Sequence, residues 1–329
     1  MLNSKLKLNK ELFQKSAEKR STREGFGLGL LEAGEKDENI VVLCGDLKES
    51  TKVDLFAHKF PDRYIEIGVA EQNMTGIAAG LALSGKIPFM ASFAIFSPGR
   101  NWEQIRLSIS FSNTNVKIIG THAGLMHCYD GGMAQCLEDI ALTRVLPNFS
   151  VIEPIDFHQA KAAAKYAAKH KGPIYMRLGR EGTPEITTES TPFEFGKAQV
   201  LVEGDEITLI SSGPIMYEVL SAAKILRAAH KVNVEVISSP TIKPLDEVTI
   251  VHSAKKTKRV VTIENHQVSG GLGGAVAELL SEKYPVPIRR IGMPDTFGES
   301  GHYSDLLDKF GLSAHHLVNK ILSILKDNE

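Results

Sequence analysis

The sequence has few cysteines, no excess of charge of one sign and no long apolar run. Cys44, Cys128 and Cys136 form no Cys-x-x-Cys pair, which argues against a disulfide scaffold and predicts a reducing compartment. The 38 Lys and Arg balance 39 Asp and Glu, so charge gives no reason to expect a nucleic-acid or membrane-surface partner. No apolar run reaches about 18 uncharged residues, and residues 1–10 lack the apolar segment of a secretory signal. We therefore expect a cytoplasmic protein.

The pattern of apolar residues predicts an α/β fold. The 329 residues are 43% hydrophobic, enough for a sizeable core, and at about 150 residues per domain the length suggests two domains. Short apolar runs, such as Ile40–Cys44 and Ser150–Ile152, alternate with amphipathic or Ala-rich stretches, such as Asp156–His170. Apolar strands separated by helices predict a parallel sheet covered on both faces, and Asp156 is expected to cap the last of these helices.

The alternation breaks once, between residues 181 and 196. This stretch mixes Pro, Thr, Ser and acidic residues without any period, which predicts an inter-domain linker. We expect an N-terminal extension at 1–20, a first domain at 21–182, a linker at 183–196 and a smaller α/β domain at 197–329.

One candidate site begins with a strand that leads into a helix carrying Glu71 in its first turn. An acidic residue at a helix N-terminus can simply interact with the helix dipole. The small residues of this helix, however, suit a close interface, where a carboxyl group is useful for proton transfer. Phe93 and Phe96 follow the next strand and can be either core residues or a ring-stacking site.

A second candidate site is the Gly-rich stretch 120–135, which follows a strand and contains His122, His127 and Asp130. Ligands of open α/β sheets bind at such places. A metal site is one interpretation, but the spacing fits no standard zinc pattern, and a loop over a polar substrate suits these residues better. The Gly-rich turn at 269–274 can cradle phosphate or allow close helix–strand packing, and the packing interpretation is preferred.

The order and spacing of several motifs resemble the C-terminal half of transketolase over roughly residues 20–325. The motifs are Ser21-Thr22-Arg23, Gly45-Asp46-Leu47, Ile67 to Met74, Phe93 to Phe96, Gly120-Thr121-His122 and Asp130-Gly131. The resemblance implies a thiamine-diphosphate pyrimidine-binding domain with a parallel sheet covered by helices, followed by a smaller α/β transketolase C-terminal domain.

The resemblance also implies the cofactor thiamine diphosphate and a two-carbon ketol transfer between sugar phosphates. Glu71 matches the glutamate that hydrogen-bonds a ring nitrogen of the aminopyrimidine, which makes it the expected catalytic residue. Phe93 and Phe96 match the aromatic residues around that ring. Asp46 matches a residue near the cofactor and the dimer interface.

The expected substrate-binding residues come from the same resemblance. Arg23, Ser50, His122 and Arg180 match the group that holds the sugar phosphate, and a guanidinium suits phosphate because it donates two parallel hydrogen bonds. Asp130 matches an acid that hydrogen-bonds a sugar hydroxyl and favours one stereochemistry.

The sequence departs from the family pattern in two places. Ala134 stands where a Thr-His-Gln run usually places a substrate-contacting histidine, and His127 is a candidate replacement. In the family, a Gly-Asp-Gly stretch followed by Asn binds the metal that holds the diphosphate. The sequence contains no such stretch, so this chain is expected to hold no metal itself. We expect a separate N-terminal subunit to bind the diphosphate and Mg²⁺ (or Ca²⁺ or Mn²⁺), in an α2β2 assembly.

Two other interpretations remain open from the sequence. The beta subunit of a 2-oxoacid dehydrogenase decarboxylating component has the same two domains, although the sugar-phosphate group argues against it. The second interpretation is a non-catalytic homologue. The presence of Glu71 together with the sugar-phosphate residues argues against it.

Overall fold

The structure, a computed structural model, describes residues 2–326. The elements of the first half are β1 (Lys19–Arg20), α1 (Thr22–Gly34), β2 (Ile40–Cys44), α2 (Lys48–Thr51), α3 (Asp54–Lys59), β3 (Tyr64–Glu66), α4 (Glu71–Leu83), β4 (Ile87–Phe93), α5 (Trp102–Gln104), β5 (Lys117–Thr121), α6 (Asp139–Arg144), β6 (Ser150–Ile152), α7 (Phe157–Lys169), β7 (Ile174–Arg177) and β8 (Thr183–Pro184). A π-helix (Ile105–Phe111) continues α5.

The second half repeats the alternation of strands and helices. Its elements are β9 (Gln199–Val202), β10 (Ile207–Ser211), α8 (Met216–His230), β11 (Val234–Ser238), β12 (Thr241–Lys243), α9 (Glu247–Thr257), β13 (Val260–Gln267), α10 (Leu272–Lys283), β14 (Ile288–Met293), α11 (Tyr303–Lys309) and α12 (Ala314–Lys326). None of the helices within residues 2–326 combines the length and apolarity that crossing a membrane requires.

The strands form two main sheets, which confirms the predicted α/β class. The larger sheet has the order β12-β6-β7-β5-β4-β2-β3, and all its pairs are parallel except β12 with β6. The smaller sheet has the order β14-β13-β10-β11-β9, with only β9 antiparallel. Buried side chains occupy both faces of the central strands, as parallel sheets require.

Helices α1 and α7 pack unusually closely on the larger sheet. A Cβ atom on Gly25 would lie 2.0 Å from the carbonyl oxygen of Phe157, and one on Gly29 would lie 2.4 Å from that of Lys161. Only glycine leaves room for this approach. The N-terminus of α7 is capped as predicted, because the Asp156 side chain accepts a hydrogen bond from the backbone N–H of Gln159.

The segment expected to link the domains is attached to the first half at its start. Strand β8 pairs with β1, and Asp156 accepts hydrogen bonds from the backbone N–H groups of Ile186 at 2.8 Å and Thr187 at 2.5 Å. Strand β12 also carries a piece of the second half into the larger sheet. The boundaries at 20, 182 and 196 remain a proposal.

The Gly-rich turn at 269–274 is filled from within the chain. The buried carboxyl group of Glu264 accepts hydrogen bonds from the N–H groups of Leu272 at 2.7 Å and Gly273 at 3.0 Å, at the start of α10. A Cβ atom on Gly271 would lie 2.0 Å from the same carboxyl group. The structure therefore supports close packing here, because Glu264 occupies the place where a phosphate would bind.

Candidate active site

The predicted site residues gather at the carboxyl edge of the larger sheet. Phe93 ends β4, His122 directly follows β5, Arg180 follows β7, and Glu71 begins the helix after β3. Neighbouring parallel strands end at the same edge, so residues far apart in sequence meet there. Three groups lie at this edge: a carboxyl group with aromatic rings, a cationic cluster and a histidine–aspartate pair.

Glu71 is buried, and only one of its two carboxylate oxygens accepts a hydrogen bond. Its side chain is 1% exposed, and its Oε2 atom accepts a hydrogen bond from Nη1 of Arg100 at 2.9 Å. Its Oε1 atom is buried and has no hydrogen-bond partner within residues 2–326. A buried carboxylate oxygen without a donor is costly, so this atom is suited to a donor that arrives with a ligand.

Asn101 holds the backbone around Glu71. Its Nδ2 atom donates to the Thr75 hydroxyl at 2.9 Å and to the Ser97 hydroxyl at 3.1 Å, and it lies 3.3 Å from the carbonyl oxygen of Glu71. These contacts fix the first turn of α4 against the loop that follows β4. The backbone of Glu71 is thereby held in one place.

Two stacked rings lie beside this carboxyl group. The ring centroids of Phe93 and Phe96 are 5.9 Å apart with an interplanar angle of 19°. The guanidinium of Arg100 lies 4.6 Å from the centroid of Phe96, which joins the aromatic pair to the partner of Glu71. The arrangement offers flat apolar faces next to a hydrogen-bond acceptor, which suits a heteroaromatic ring.

Arg23, Arg180 and His122 form a cationic cluster. Nη1 of Arg23 donates to the carbonyl oxygen of Ser50 at 2.8 Å and lies 3.4 Å from Nε2 of His122. Burial and the charge of Arg180 lower the pKa of Arg23. Nε of Arg23 is buried without a partner within the described residues. Nε of Arg180 lies 3.9 Å from Oε1 of Glu181. Two neighbouring guanidinium groups repel each other and favour an anion between them.

His122 is a neutral member of this cluster. Burial, with smaller contributions from Arg23, His127 and Arg180, lowers the pKa of His122 to about 2. Because Arg23 can only donate, Nε2 of His122 accepts and Nδ1 carries the proton, facing the Thr121 hydroxyl at 2.9 Å. The His122 ring lies 3.9 Å from the Phe93 ring between centroids, so the cluster and the aromatic pair adjoin.

His127 and Asp130 form the third group. Nε2 of His127 lies 2.8 Å from Oδ2 of Asp130, and Nδ1 lies 2.9 Å from the carbonyl oxygen of Ala134. The His127 ring is buried and contacts the Phe93 ring edge-on at 4.9 Å. The Asp130 side chain is 58% exposed.

Asp46 follows β2 at the same edge of the sheet. It is exposed, its backbone φ is +59°, and its N–H donates to Oε1 of Glu66 at 2.7 Å. No hydrogen bond joins it to the other predicted site residues in the part of the chain that the structure describes. Its place near the cofactor and an interface stays a prediction.

Comparison with known proteins decides the family. A family profile described as "Transketolase, pyrimidine binding domain" matches residues 18–185, and one described as "Transketolase, C-terminal domain" matches residues 196–317. The chain belongs to the transketolase family. The matches span the two domains that the resemblance implied.

Three relatives of this transketolase-family chain match it along nearly their whole length. It is 44% identical over 308 residues to the "Putative transketolase C-terminal section" of Methanocaldococcus jannaschii, covering 92% of this chain and 96% of that protein. It is 42% identical to the "6-deoxy-6-sulfo-D-fructose transketolase subunit SqwH" of Clostridium sp., covering 93% and 95%. The solved structure described as "Split gene transketolase, inactive beta4 tetramer" is 46% identical, with a TM-score of 0.87 and coverage of 93% and 98%.

The transketolase family implies thiamine diphosphate, and the residues fit its pyrimidine ring. The unpartnered Oε1 atom of Glu71 can accept a hydrogen bond from a ring nitrogen, and Phe93 with Phe96 offers a flat apolar wall. Within residues 2–326, the one group of three side chains that could hold a metal ion is Asp308, His315 and His316, on α11 and α12.

Arg100 and Asn101 are site residues that the sequence interpretation missed. Both follow Phe96 in a loop without a regular period, so no local pattern signals that they reach Glu71. The second half also contributes to the site loop. The Gln135 amide donates to the carbonyl oxygen of Glu299 at 2.9 Å, and a Cβ atom on Gly131 would lie 2.5 Å from the Ser300 hydroxyl.

Proposed function

We propose that this chain is the C-terminal subunit of a thiamine-diphosphate-dependent transketolase, which transfers a two-carbon ketol unit between sugar phosphates together with a separate N-terminal subunit. The observation that carries the proposal is the buried, unpartnered Oε1 atom of Glu71 beside the Phe93–Phe96 pair. The family membership and the split relatives support it.

Some residues of this chain contact the cofactor and others contact the substrate. When bound, thiamine diphosphate supplies the nucleophilic carbon that carries the two-carbon unit. Glu71 would exchange a proton with the pyrimidine through Oε1, while Arg100 holds Oε2. Phe93 and Phe96 would orient the ring and keep water from it.

The cationic cluster binds the phosphate of the sugar. Arg23 and Arg180 donate charge-assisted hydrogen bonds, and Ser50 anchors Arg23 through its carbonyl oxygen. Neutral His122 adds a fixed contact beside Phe93, and the exposed carboxyl group of Asp130 is free to meet a sugar hydroxyl.

A partner subunit completes the site. We infer that it binds the diphosphate and Mg²⁺, and that two copies of each subunit assemble as α2β2. Helix α4 supports this, because Cβ atoms added at Gly76 and Gly80 would meet nothing within 4 Å. Val69, just before the helix, and Leu83, at its end, are 69% and 76% exposed. An apolar helix face with exposed glycines suits close packing against another chain. The free, buried cysteines fit the cytoplasmic location that we propose.

Reconstitution tests the proposal. The chain is mixed with the separately produced subunit of the same source that carries a Gly-Asp-Gly stretch, thiamine diphosphate and Mg²⁺. We expect two-carbon transfer from a ketose phosphate to an aldose phosphate, and no oxidation of a 2-oxoacid by a dye. Turnover of the 2-oxoacid instead would support the dehydrogenase interpretation and overturn ours.

A further inference from the structure

His127 is a buried histidine at the site to which the proposed function gives no role. Its side chain is 4% exposed, and it lies against the rings of Phe93 at 4.9 Å and His122 at 5.0 Å. Both of its nitrogens face acceptors: the carbonyl oxygen of Ala134 at 2.9 Å and Oδ2 of Asp130 at 2.8 Å. A buried imidazole with two acceptors is a specific arrangement and not a general way to fill a core.

The two acceptors determine where the protons lie. A carbonyl oxygen can only accept, so Nδ1 carries a proton and donates it to Ala134. The lone pair of a neutral Nε2 would then face an ionised carboxylate at 2.8 Å, which is unfavourable. A proton therefore lies between Nε2 and Oδ2, bound to one of these two atoms.

This shared proton fixes the orientation of Asp130. Its Oδ2 atom is held by the buried ring, whereas its Oδ1 atom has no hydrogen-bond partner within residues 2–326 and the side chain is 58% exposed. Ala134 provides its carbonyl oxygen as the anchor of His127 and has no polar side chain of its own. His127 therefore fixes the direction in which the Asp130 carboxyl group points.

We propose that His127 is a positioning residue that holds Asp130, an inference that rests on the proposed function. Oδ1 of Asp130 then accepts a hydrogen bond from a substrate hydroxyl and selects the configuration of the carbon that carries it. The substrate class that this arrangement fits is a ketose phosphate with a hydroxyl on the carbon next to its carbonyl. An epimer at that carbon points its hydroxyl away from Oδ1 and loses the hydrogen bond.

Two matched substitutions separate positioning from packing. The amide nitrogen of His127→Gln reaches the place of Nε2 and can still donate to Asp130. The amide nitrogen of His127→Asn reaches the place of Nδ1, so it can donate to Ala134 but not to Asp130. Both remove the ring contact with Phe93, and a purely structural role predicts similar losses in both.

The reconstituted complex is assayed with xylulose phosphate and ribulose phosphate, which are epimers at the carbon next to the carbonyl. For His127→Asn we expect KM for the preferred epimer to rise about 10-fold, kcat to change less, and the preference between epimers to fall by a similar factor. For His127→Gln we expect kcat/KM within about 3-fold of the wild type. Equal losses in both variants, or wild-type kinetics in His127→Asn, would overturn the proposal.

A double-mutant cycle with Asp130→Asn tests whether His127 acts through Asp130. We expect His127→Asn to have no further effect on the epimer preference in the Asp130→Asn background, because the group that it positions is already lost. Full additivity would overturn the positioning role. If the wild-type complex transfers no two-carbon unit, the proposed function is wrong. If the wild type is active but the variants show equal losses or full additivity, only the positioning role of His127 is wrong.

A measurement on the wild-type side chain covers the case in which His127→Asn fails to fold. Burial lowers the pKa of His127, while Ala134 and Asp130 raise it and Arg180 lowers it. The ring nitrogens are titrated by NMR in the wild type and in Asp130→Asn. We expect the His127 pKa to drop in the variant, and an unchanged pKa would show that no proton is shared.

Discussion

Nη1 of Arg100 donates a hydrogen bond to Oε2 of Glu71 at 2.9 Å and leaves the other carboxylate oxygen buried without a partner. The Arg100 side chain is 47% exposed, whereas the Glu71 side chain is 1% exposed, so Arg100 links a buried acid to the mouth of the site. One oxygen is thus fixed by the protein and the other is reserved for a ligand. This division explains how a carboxyl group can be both rigid and available.

Glu71→Gln removes the ionisable group and keeps its shape. We expect kcat of the reconstituted complex to fall by about 10²- to 10⁴-fold, the range for loss of a positioned proton-transfer group. Steady-state kinetics on the complex measure this, with gel filtration to show that assembly is retained. Unchanged kcat in an assembled complex would remove Glu71 from the mechanism.

Arg100 is expected to position Glu71. In Arg100→Met the carboxyl group can rotate, so we expect thiamine diphosphate to bind about 10-fold more weakly to the complex, since a charge-assisted hydrogen bond contributes about 1.5–3 kcal/mol. Arg100→Lys keeps one donor and should lose less. Calorimetric titration of cofactor measures both variants, and equal affinity in Arg100→Met and wild type would contradict the positioning role.

Much of the fold follows from the sequence because the strands are buried on both faces. The runs Ile40–Cys44 and Ser150–Ile152 are strands with the predicted bounds, since a short apolar run suits a strand that is buried on both faces of a sheet. Helix α9 was not predicted, because the four residues after its first, in the sequence EVTIVHSAKKT, are β-branched and also suit a strand. The pairing of β12 with β6 depends on contacts far apart in sequence, which local patterns do not contain.

The candidate site was predictable where a motif marks it and not where tertiary contacts form it. Glu71 lies at the start of a helix, as the sequence indicates. Its pairing with Arg100 spans 29 residues, and the contact of Arg23 with His122 spans 99. The arrangement of His127 between Ala134 and Asp130 required the path of a loop with two short 3₁₀ turns, which no periodicity reveals.

The cationic cluster is expected to recognise phosphate. Arg23→Ala and Arg180→Ala should each raise KM for phosphorylated sugars by roughly 10- to 150-fold, the equivalent of about 1.5–3 kcal/mol for a charge-assisted hydrogen bond. Turnover of a free ketose without phosphate serves as the control, and its KM should change little. A similar loss with and without phosphate would show that these residues have another role.

The depressed pKa of His122 makes stability depend on pH. The folded pKa is about 2 and the unfolded pKa about 6.5, so the unfolded state binds more protons between these values. Stability should therefore fall as pH drops below about 6.5, by about 2 kcal/mol from His122 between pH 7 and pH 5. Denaturant unfolding of wild type and His122→Asn measures the difference. An equal pH dependence in both proteins would contradict a buried, neutral His122.

Gly80 tests whether α4 faces a partner. Nothing lies within 4 Å of an added Cβ, so Gly80→Ala should stabilise the chain alone by about 0.5–1 kcal/mol through helix propensity. It should also weaken assembly with the partner, because a methyl group intrudes into the interface. Gly274→Ala on α10 is the matched control, since an added Cβ meets only contacts at 3.9 Å. Analytical ultracentrifugation measures assembly, and equal behaviour of both variants would contradict the α4 interface.

The central claim is that this chain provides one half of a thiamine diphosphate site. Calorimetric titration of thiamine diphosphate with Mg²⁺ into the chain alone, the diphosphate-binding subunit alone and their mixture tests it most directly. We predict tight, saturable binding in the mixture only. Equally tight binding by this chain alone would contradict the account.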